Sequence, residues 1–402
     1  MEKQLLEDLL VIDCASFIAG PAAATIMSDF GARVIKIEPP VIGDSYRQLM
    51  NVPGMPPAAH DYFWTLDNRN KESLALDLKR PEARAVLDAL IEKADVFITN
   101  FPGPIRERLR LRAEDVMPLN ERIVYASLTP YGEEGPEKDR TGYDATAWWA
   151  RSGLMDAVRA TPDTPPGFSV PGMGDHPTAT ALFGAIMTAL YKRERTGKGS
   201  AVSTSLLANG LWSNGIWMQA ALCEADFSVR LERGMRGALT ELYKCRCGRW
   251  FMLAMLNYQR EWPLLTDIIG KPEWRDDPRF ATHEARRANA PALVAALEEV
   301  IGARDWSEWK PLFQKAGITF GPIAQPADHL ECPQVAANDF LPEIDGAAGL
   351  RTVDSPIRMT GQQKRKPGKA PAIGEHTRAV LAGIGMNEAA IDAMIASGAA
   401  AE

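Results

Sequence analysis

Apolar residues enter this chain in short unbroken runs. Residues 9–13 (Leu-Leu-Val-Ile-Asp) form such a run, which predicts a strand buried on both faces. A turn is expected at Ala19-Gly20-Pro21, a helix of small side chains over 22–29, and, after Gly31, a second strand over 33–38. A strand, a helix and a strand at this spacing make a parallel unit. The alternation continues with a strand over 74–78, a helix over 83–94 opened by Pro81, and strands over 95–99 and 123–128. Strands separated by helices predict an α/β fold, a parallel sheet covered on both faces with ligands near the carboxyl ends of its strands.

The pattern changes after Tyr143. Trp148 and Trp149 lead into a proline- and glycine-rich stretch, 162–174, which reads as a long surface connection. A helix follows, with Pro177 in its first turn, Gly197 at its end, and Leu182, Ile186, Ala189 and Leu190 along one side. Residues 199–223 carry no charge over a length that could cross a bilayer. They include Ser200, Ser203, Thr204, Ser205, Asn209, Ser213, Asn214 and Gln219, which lipid would not tolerate, so the expectation is a helix buried between domains or subunits. Short strands mixed with helices over 239–320 read as a second, smaller domain. The expected division is 1–222 for a large domain, 223–325 for a small one, and 326–402 for a segment returning to the first. A last helix over 387–397 is ended by Gly398, and no internal repeat occurs.

Composition narrows the function classes. A chain of 402 residues with 46% apolar and 24% charged side chains is ordinary for a globular protein of two or three domains. The net charge of −7 argues against a nucleic-acid partner. Five cysteines, at Cys14, Cys223, Cys245, Cys247 and Cys332, imply no disulfide framework and fit a reducing cytoplasm. Cys245 and Cys247 lack the spacing and companions of a zinc set, so no metal is expected. The acidic start, Met-Glu-Lys-Gln-Leu-Leu-Glu-Asp, does not read as an export signal, and no membrane partner is expected.

Candidate chemistry is sparse. The first turn offers Gly20 alone where a dinucleotide fingerprint needs three spaced glycines, and Glu38 at a strand end reads as solvated or ion-paired. The turn Gly172-Met173-Gly174-Asp175-His176-Pro177 delivers a carboxylate to the mouth of a helix, where unpaired backbone amides favour negative charge. Helix capping by Asp175 or His176 and catalysis are both open there. Lys79, Arg80, Arg106, Arg108, Arg110, Lys138 and Arg140 fall in predicted loops and strand ends, either as a solvated surface or converging on phosphates. No serine elbow is present, and His60, His283, His329 and His376 are scattered. Trp148, Trp149, Trp212 and Trp217 read as core or interface, or as the lining of an acyl pocket.

A set of ordered motifs resembles the class III CoA-transferases. It comprises Ile18-Ala19-Gly20-Pro21-Ala22-Ala23, the run from Asp29 to Glu38, Leu76-Asp77-Leu78-Lys79, Asn100-Phe101, the run from Lys138 to Asp144, Gly174-Asp175 and Gly374-Glu375-His376-Thr377. The runs 144–153 and 170–176 are most similar to the cinnamoyl-CoA:phenyllactate and 2-hydroxyacid transferases. The resemblance implies a large Rossmann-like domain, a smaller α/β domain, and an interlocked homodimer. It implies an acyl-CoA and a free carboxylic acid as substrates, the coenzyme A thioester entering as substrate, and no permanently bound cofactor. Asp175 matches the family's nucleophile. Phe17, Ile18, Ala19, Leu76, Asp77, Lys79, Asn100, Phe101, Arg108, Arg140 and Tyr143 match its CoA path, and a glycine loop is sought at 234–237. Ile18 replaces a glutamine with which the formyl-CoA enzymes hold their small acid, and with Phe17 and the nearby tryptophans it points to a larger and less polar acyl group, while Pro39 replaces an arginine near the adenine and Thr141 a lysine, so the adenine contacts of those enzymes do not carry over. An acyl-CoA racemase, which carries histidine where this chain has Tyr143, and a non-catalytic acyl-CoA-binding protein remain the alternatives.

Overall fold

The computed structural model describes residues 3–161, 163–227, 234–235 and 237–402. Contacts divide the chain into two compact units. One takes Met1–Val158, Pro166–Cys223 and Ala336–Glu402, and the other Arg159–Pro165 and Glu224–Val335.

The ten strands are β1 (Leu10–Asp13), β2 (Arg33–Glu38), β3 (Glu72–Leu76), β4 (Val96–Thr99), β5 (Val124–Thr129), β6 (Ser200–Ser205), β7 (Leu242–Lys244), β8 (Trp250–Leu253), β9 (Phe320–Pro322) and β10 (Ala400–Ala401). In the first unit a seven-stranded sheet runs in the order β10-β3-β2-β1-β4-β5-β6. Six strands are parallel, and β10 lies antiparallel against β3. The unbroken apolar runs are explained by burial on both faces. Val11, Val34 and Val96 pack under the helices Ala19–Asp29 and Asp175–Thr196, while their neighbours Ile12, Ile35 and Phe97 pack against Pro81–Ile91 on the other side. The strand order 3-2-1-4-5-6 reverses direction between β1 and β4, so the crevice beyond their carboxyl ends is where a ligand is expected.

Three expectations change. The turn placed at Ala19–Pro21 is the first turn of the helix Ala19–Asp29, because its leading N–H groups have no intrahelical partner and a proline there forfeits nothing. Residues 199–223 are not one buried helix. Ser200–Ser205 form β6, an edge strand with Ala201 and Ser203 exposed and Ser205 buried, followed by two short helices, Leu206–Ser213 and Gly215–Leu222. Trp212 and Ile216 on those helices are 86% and 85% exposed. Finally, the sheet gains β10, where Ala400 pairs with Leu76.

The return segment docks through the motif Gly374–Thr377. The His376 N–H donates to the Ser73 carbonyl at 3.0 Å, the Gly374 N–H to Ser73 Oγ at 2.8 Å, and the Ala75 N–H to Thr377 Oγ1 at 3.2 Å. These bonds satisfy backbone groups that β3 would otherwise leave open.

Charge is buried behind the crevice. Asp13, at the end of β1, holds Lys71 Nζ at 2.8 Å and Lys36 Nζ at 3.8 Å, and Lys36 also meets Asp44 at 2.7 Å, with every partner essentially shielded from solvent. Lys71 Nζ also lies 2.8–2.9 Å from the Pro21 and Asp67 carbonyls and Asn68 Oδ1, which share its remaining two donors. Burial pulls the Lys71 ammonium down to about 8, despite Asp13.

The second unit has a three-stranded antiparallel sheet, β7-β8-β9, around the aromatic core of Tyr243, Phe251, Trp309 and Phe313. Its glycine segment at 234–237 includes Arg236, which lies outside the described residues. Gly234 and Gly237 both have positive φ, 85° and 127°. No helix among the described residues is long and apolar enough to cross a membrane.

Candidate active site

Three loops meet at the crevice. After β1 the chain turns sharply, with Phe17 in the left-handed region at φ 62°, a conformation that costs a non-glycine residue of order 1–3 kcal/mol. Neighbours hold it there. Asn100, following β4, accepts from the Ser16 N–H at 2.8 Å and donates back to the Ser16 carbonyl at 2.7 Å. Asp44 accepts from Ser16 Oγ at 2.6 Å and from the Phe17 N–H at 3.2 Å. The strained turn thereby presents Phe17, Ile18 and Ala19 to a cavity of about 680 Å³, together with Leu49, Val52, Met55, Asn100, Phe101 and Tyr143. Phe17 and Tyr143 meet edge to face, with ring centroids 5.6 Å apart.

Asp175 lines the same cavity as the first residue of the helix Asp175–Thr196. Close packing dictates the turn that delivers it. Gly174 lies against the Trp148 indole, where a Cβ would sit 2.5 Å from Cγ, and Gly172 has φ 80° and lies against the His176 ring. Burial, the facing carboxylate of Asp144 and then Asp67 push the Asp175 carboxyl up to about 8, with His176 opposing them.

His176 is held from below. Its Nε2 lies 3.1 Å from Asp67 Oδ1, and the Tyr46 hydroxyl donates to the other oxygen of Asp67. Burial disfavours the imidazolium, but the Asp67 bond and the charges of Asp67 and Asp175 outweigh it, so the imidazole titrates above its ordinary 6.5.

The other sequence candidates stand outside the cavity wall. Leu76 is buried in the core at the end of β3, with Asp77 partly buried and Lys79 exposed beyond it. Arg108 is exposed at the end of the helix Gly103–Arg108 and makes no ion pair with a described residue. Arg140 is tied to Glu137 and lies over the Tyr131 ring, 5.3 Å from its centroid. Trp148 and Trp149 are stacked in the core, and neither they, Trp212 nor Trp217 lines the cavity. Glu38 is ion-paired, with both oxygens on Arg47 at 2.8 and 2.9 Å.

Sequence reasoning gave no role to Asp44, Asp67, Asp144, Tyr46 or the wall of Leu49, Val52 and Met55. Among the described residues no group of three His, Cys, Asp or Glu side chains is placed to hold a metal ion.

A Rossmann-ordered sheet with a carboxylate at a helix mouth, beside an apolar cavity at the switch point, is the framework of a ligand-binding site of the doubly wound α/β class. The chain belongs to CoA-transferase family III, whose model matches residues 6–377. It is thus a CoA-transferase, of a class whose substrates are CoA thioesters. It is 30% identical over 393 residues to the (R)-2-hydroxy-4-methylpentanoate CoA-transferase of Clostridioides difficile, covering 96% of this chain and 97% of that one. It is 33% identical to the acetyl-CoA:oxalate CoA-transferase of Acetobacter aceti (94% and 95% covered) and 29% identical to the cinnamoyl-CoA:phenyllactate CoA-transferase of Clostridium sporogenes (95% and 94% covered). Among solved structures, a CaiB/BaiF family protein from Brucella suis is similar with a TM-score of 0.84 and 29% identity, covering 95% of this chain and all of that one.

Proposed function

We propose that this enzyme moves CoA from an acyl-CoA donor to a free carboxylic acid, with Asp175 as the nucleophile. The placement of the Asp175 carboxyl on the wall of a largely apolar cavity supports this reading above all. A carboxylate oxygen of Asp175 attacks the thioester carbonyl, the C–S bond breaks, and the CoA thiolate leaves an aspartyl anhydride. The thiolate then attacks the aspartyl carbonyl of that anhydride, releasing the donor acid and leaving an aspartyl-CoA thioester. The acceptor acid reverses both steps, so no oxidant, reductant or net proton is needed. A carboxyl raised to about 8 suits the first step, because its conjugate base is more basic than an ordinary carboxylate and narrows the gap to the thiolate it must expel. The apolar wall protects both intermediates from water.

Phe17, Ile18, Ala19, Asn100, Phe101 and Tyr143 border the reacting end of the thioester in this reading, and the exposed cations Lys79 and Arg108 receive its phosphates. Arg140 is a weaker candidate, since Glu137 already occupies it. Incubation with succinyl-CoA or acetyl-CoA and a panel of acids yields acyl-CoA masses matching the acids. Fast deuterium wash-in at the α-carbon of a branched acyl-CoA, with no acid present, would instead establish a racemase.

The electrostatic support from His176 has its own consequence. His176→Gln removes a group that lowers the Asp175 carboxyl, so the acid limb of the kcat/KM profile moves to higher pH. A limb that stays in place rules this role out.

The exposed Trp212 and Ile216 form part of an apolar surface that a second copy of the chain would cover, in keeping with a homodimer. Trp212→Arg combined with Ile216→Arg shifts the mass measured by light scattering from dimer towards monomer. An unchanged dimer mass places the interface elsewhere.

A further inference from the structure

The second unit has a cavity of its own. Its lining runs from Leu256 to Arg286, wholly within Glu224–Val335, and its volume of about 960 Å³ lies within the range of small-molecule sites. Two helices, Tyr258–Ile268 and His283–Ala288, build the wall. Tyr258 and Trp262 are one turn apart on the first, and His283 and Arg286 one turn apart on the second, so each pair shares a face. The faces meet ring to ring and cation to ring. Tyr258 stacks on His283 with centroids 4.3 Å apart, and the Arg286 guanidinium lies 4.8 Å from the centre of the Trp262 ring.

Packing explains part of this arrangement. Arg286 Nη1 donates to the Phe280 and Ala281 carbonyls at 2.7 and 3.2 Å, which fastens the loop ahead of the second helix. The remaining donors have no such use. Arg286 is 7% exposed, yet it forms no ion pair with a described residue, and neither its Nε nor Trp262 Nε1 has an acceptor. Glu284, the acid in the same wall, is exposed and makes no bond to the guanidinium, while Arg275 is already held by Asp267 and the Pro263 carbonyl. Burial pulls the Arg286 guanidinium below its ordinary value, with the charge of Glu284 and then Tyr258 opposing. Nη2 also donates to no described residue, and it is not among the atoms sealed by their neighbours, so it is the edge a ligand in the cavity can reach. An oxyanion there supplies the charge-assisted bonds that a buried guanidinium otherwise lacks, and the three aromatic side chains beside it suit a flat ring.

We propose that this cavity binds a small aromatic carboxylic acid, its carboxylate on the open edge of Arg286 and its ring against Tyr258, Trp262 and His283. The site shares no lining residue with the cavity of Asp175 and does not depend on the transferase reading.

Calorimetry of the full-length protein with para-bromobenzoate, para-bromobenzamide and inorganic phosphate separates the two parts of the ligand. The benzoate binds about tenfold more tightly than either of the others, or better, since the amide lacks the charge and phosphate lacks the ring. Parity with the amide overturns the role of Arg286, and parity with phosphate overturns the ring-bearing class. Arg286→Gln, which keeps an amide for the Phe280 carbonyl, weakens the benzoate by about tenfold or more. Gln259→Glu keeps the test open should that variant not fold. Gln259 is exposed in the same wall and in the first turn of its helix, where an acid is tolerated, so the change adds a like charge beside the site and costs about threefold or more in affinity. Affinity unmoved in the folded Gln259→Glu protein overturns the proposal, as does anomalous bromine signal absent from this cavity in crystals soaked with the benzoate. Absence of binding at about 10 mM, as when a second copy of the chain fills the cavity, overturns it equally. None of these readouts involves CoA transfer, so their failure leaves the transferase reading standing.

Discussion

Asp175→Asn abolishes CoA exchange, lowering kcat by about 10³-fold or more as expected for loss of a covalent nucleophile, and at the same time makes the protein harder to melt at pH 8. The second effect follows from the same carboxyl. Its pKa is about 8 in the folded chain against 3.8 when free, so between those values the folded state holds a proton that the unfolded state has released. Folding stability contributed by this group is therefore intact below about pH 4, declines as pH rises, and is fully lost above about 8. Asparagine has no such proton, so the variant gains over the wild type as pH increases. Melting curves at pH 5 and pH 8 measure it. A variant no more stable than wild type at pH 8 contradicts the raised carboxyl, and one that still exchanges CoA at the wild-type rate removes Asp175 from the chemistry.

Asp13→Ala is the most destabilising single change expected away from the cavity. It leaves Lys36 and Lys71 buried, with Asp44 the only carboxylate among the described residues still paired to Lys36. Removing one member of a buried ion cluster costs about 3–5 kcal/mol, since the remaining charges keep their desolvation and lose their partner. Denaturant midpoints read this loss directly, and one below about 1 kcal/mol refutes the arrangement. Lys71→Met in the Asp13→Ala background restores part of the loss, because it withdraws an ammonium that has become unpaired. Two independent costs would simply add.

The parallel sheet is legible in the sequence because strands buried on both faces write continuous apolar runs, as at 9–13 and 95–99. The edges are not, and for physical reasons. β6 lies at the sheet edge and carries serine and threonine on both faces, so it shows neither an apolar run nor a clean alternation and is absorbed into the uncharged stretch that reads as one buried helix. β10 is two alanines with no pattern of their own, made a strand by the open edge of β3. Asp175 stands out locally, between a glycine turn and a helix start. Asp67 does not, since its link to His176 spans 109 positions and exists only after folding. Asp13 and Lys36 are directly opposite in the register of β1 and β2, so that pair becomes readable once the two strands are aligned.

The docking of residues 374–377 onto β3 ties together segments 302 positions apart, with the whole second unit lying between them in the chain. During synthesis the intervening unit can fold from a nearly continuous stretch of nascent chain while the edge of β3 stands bare until this tail emerges. A product truncated before Gly374 would thus expose a naked sheet margin to other chains, making self-association the natural failure of incomplete translation.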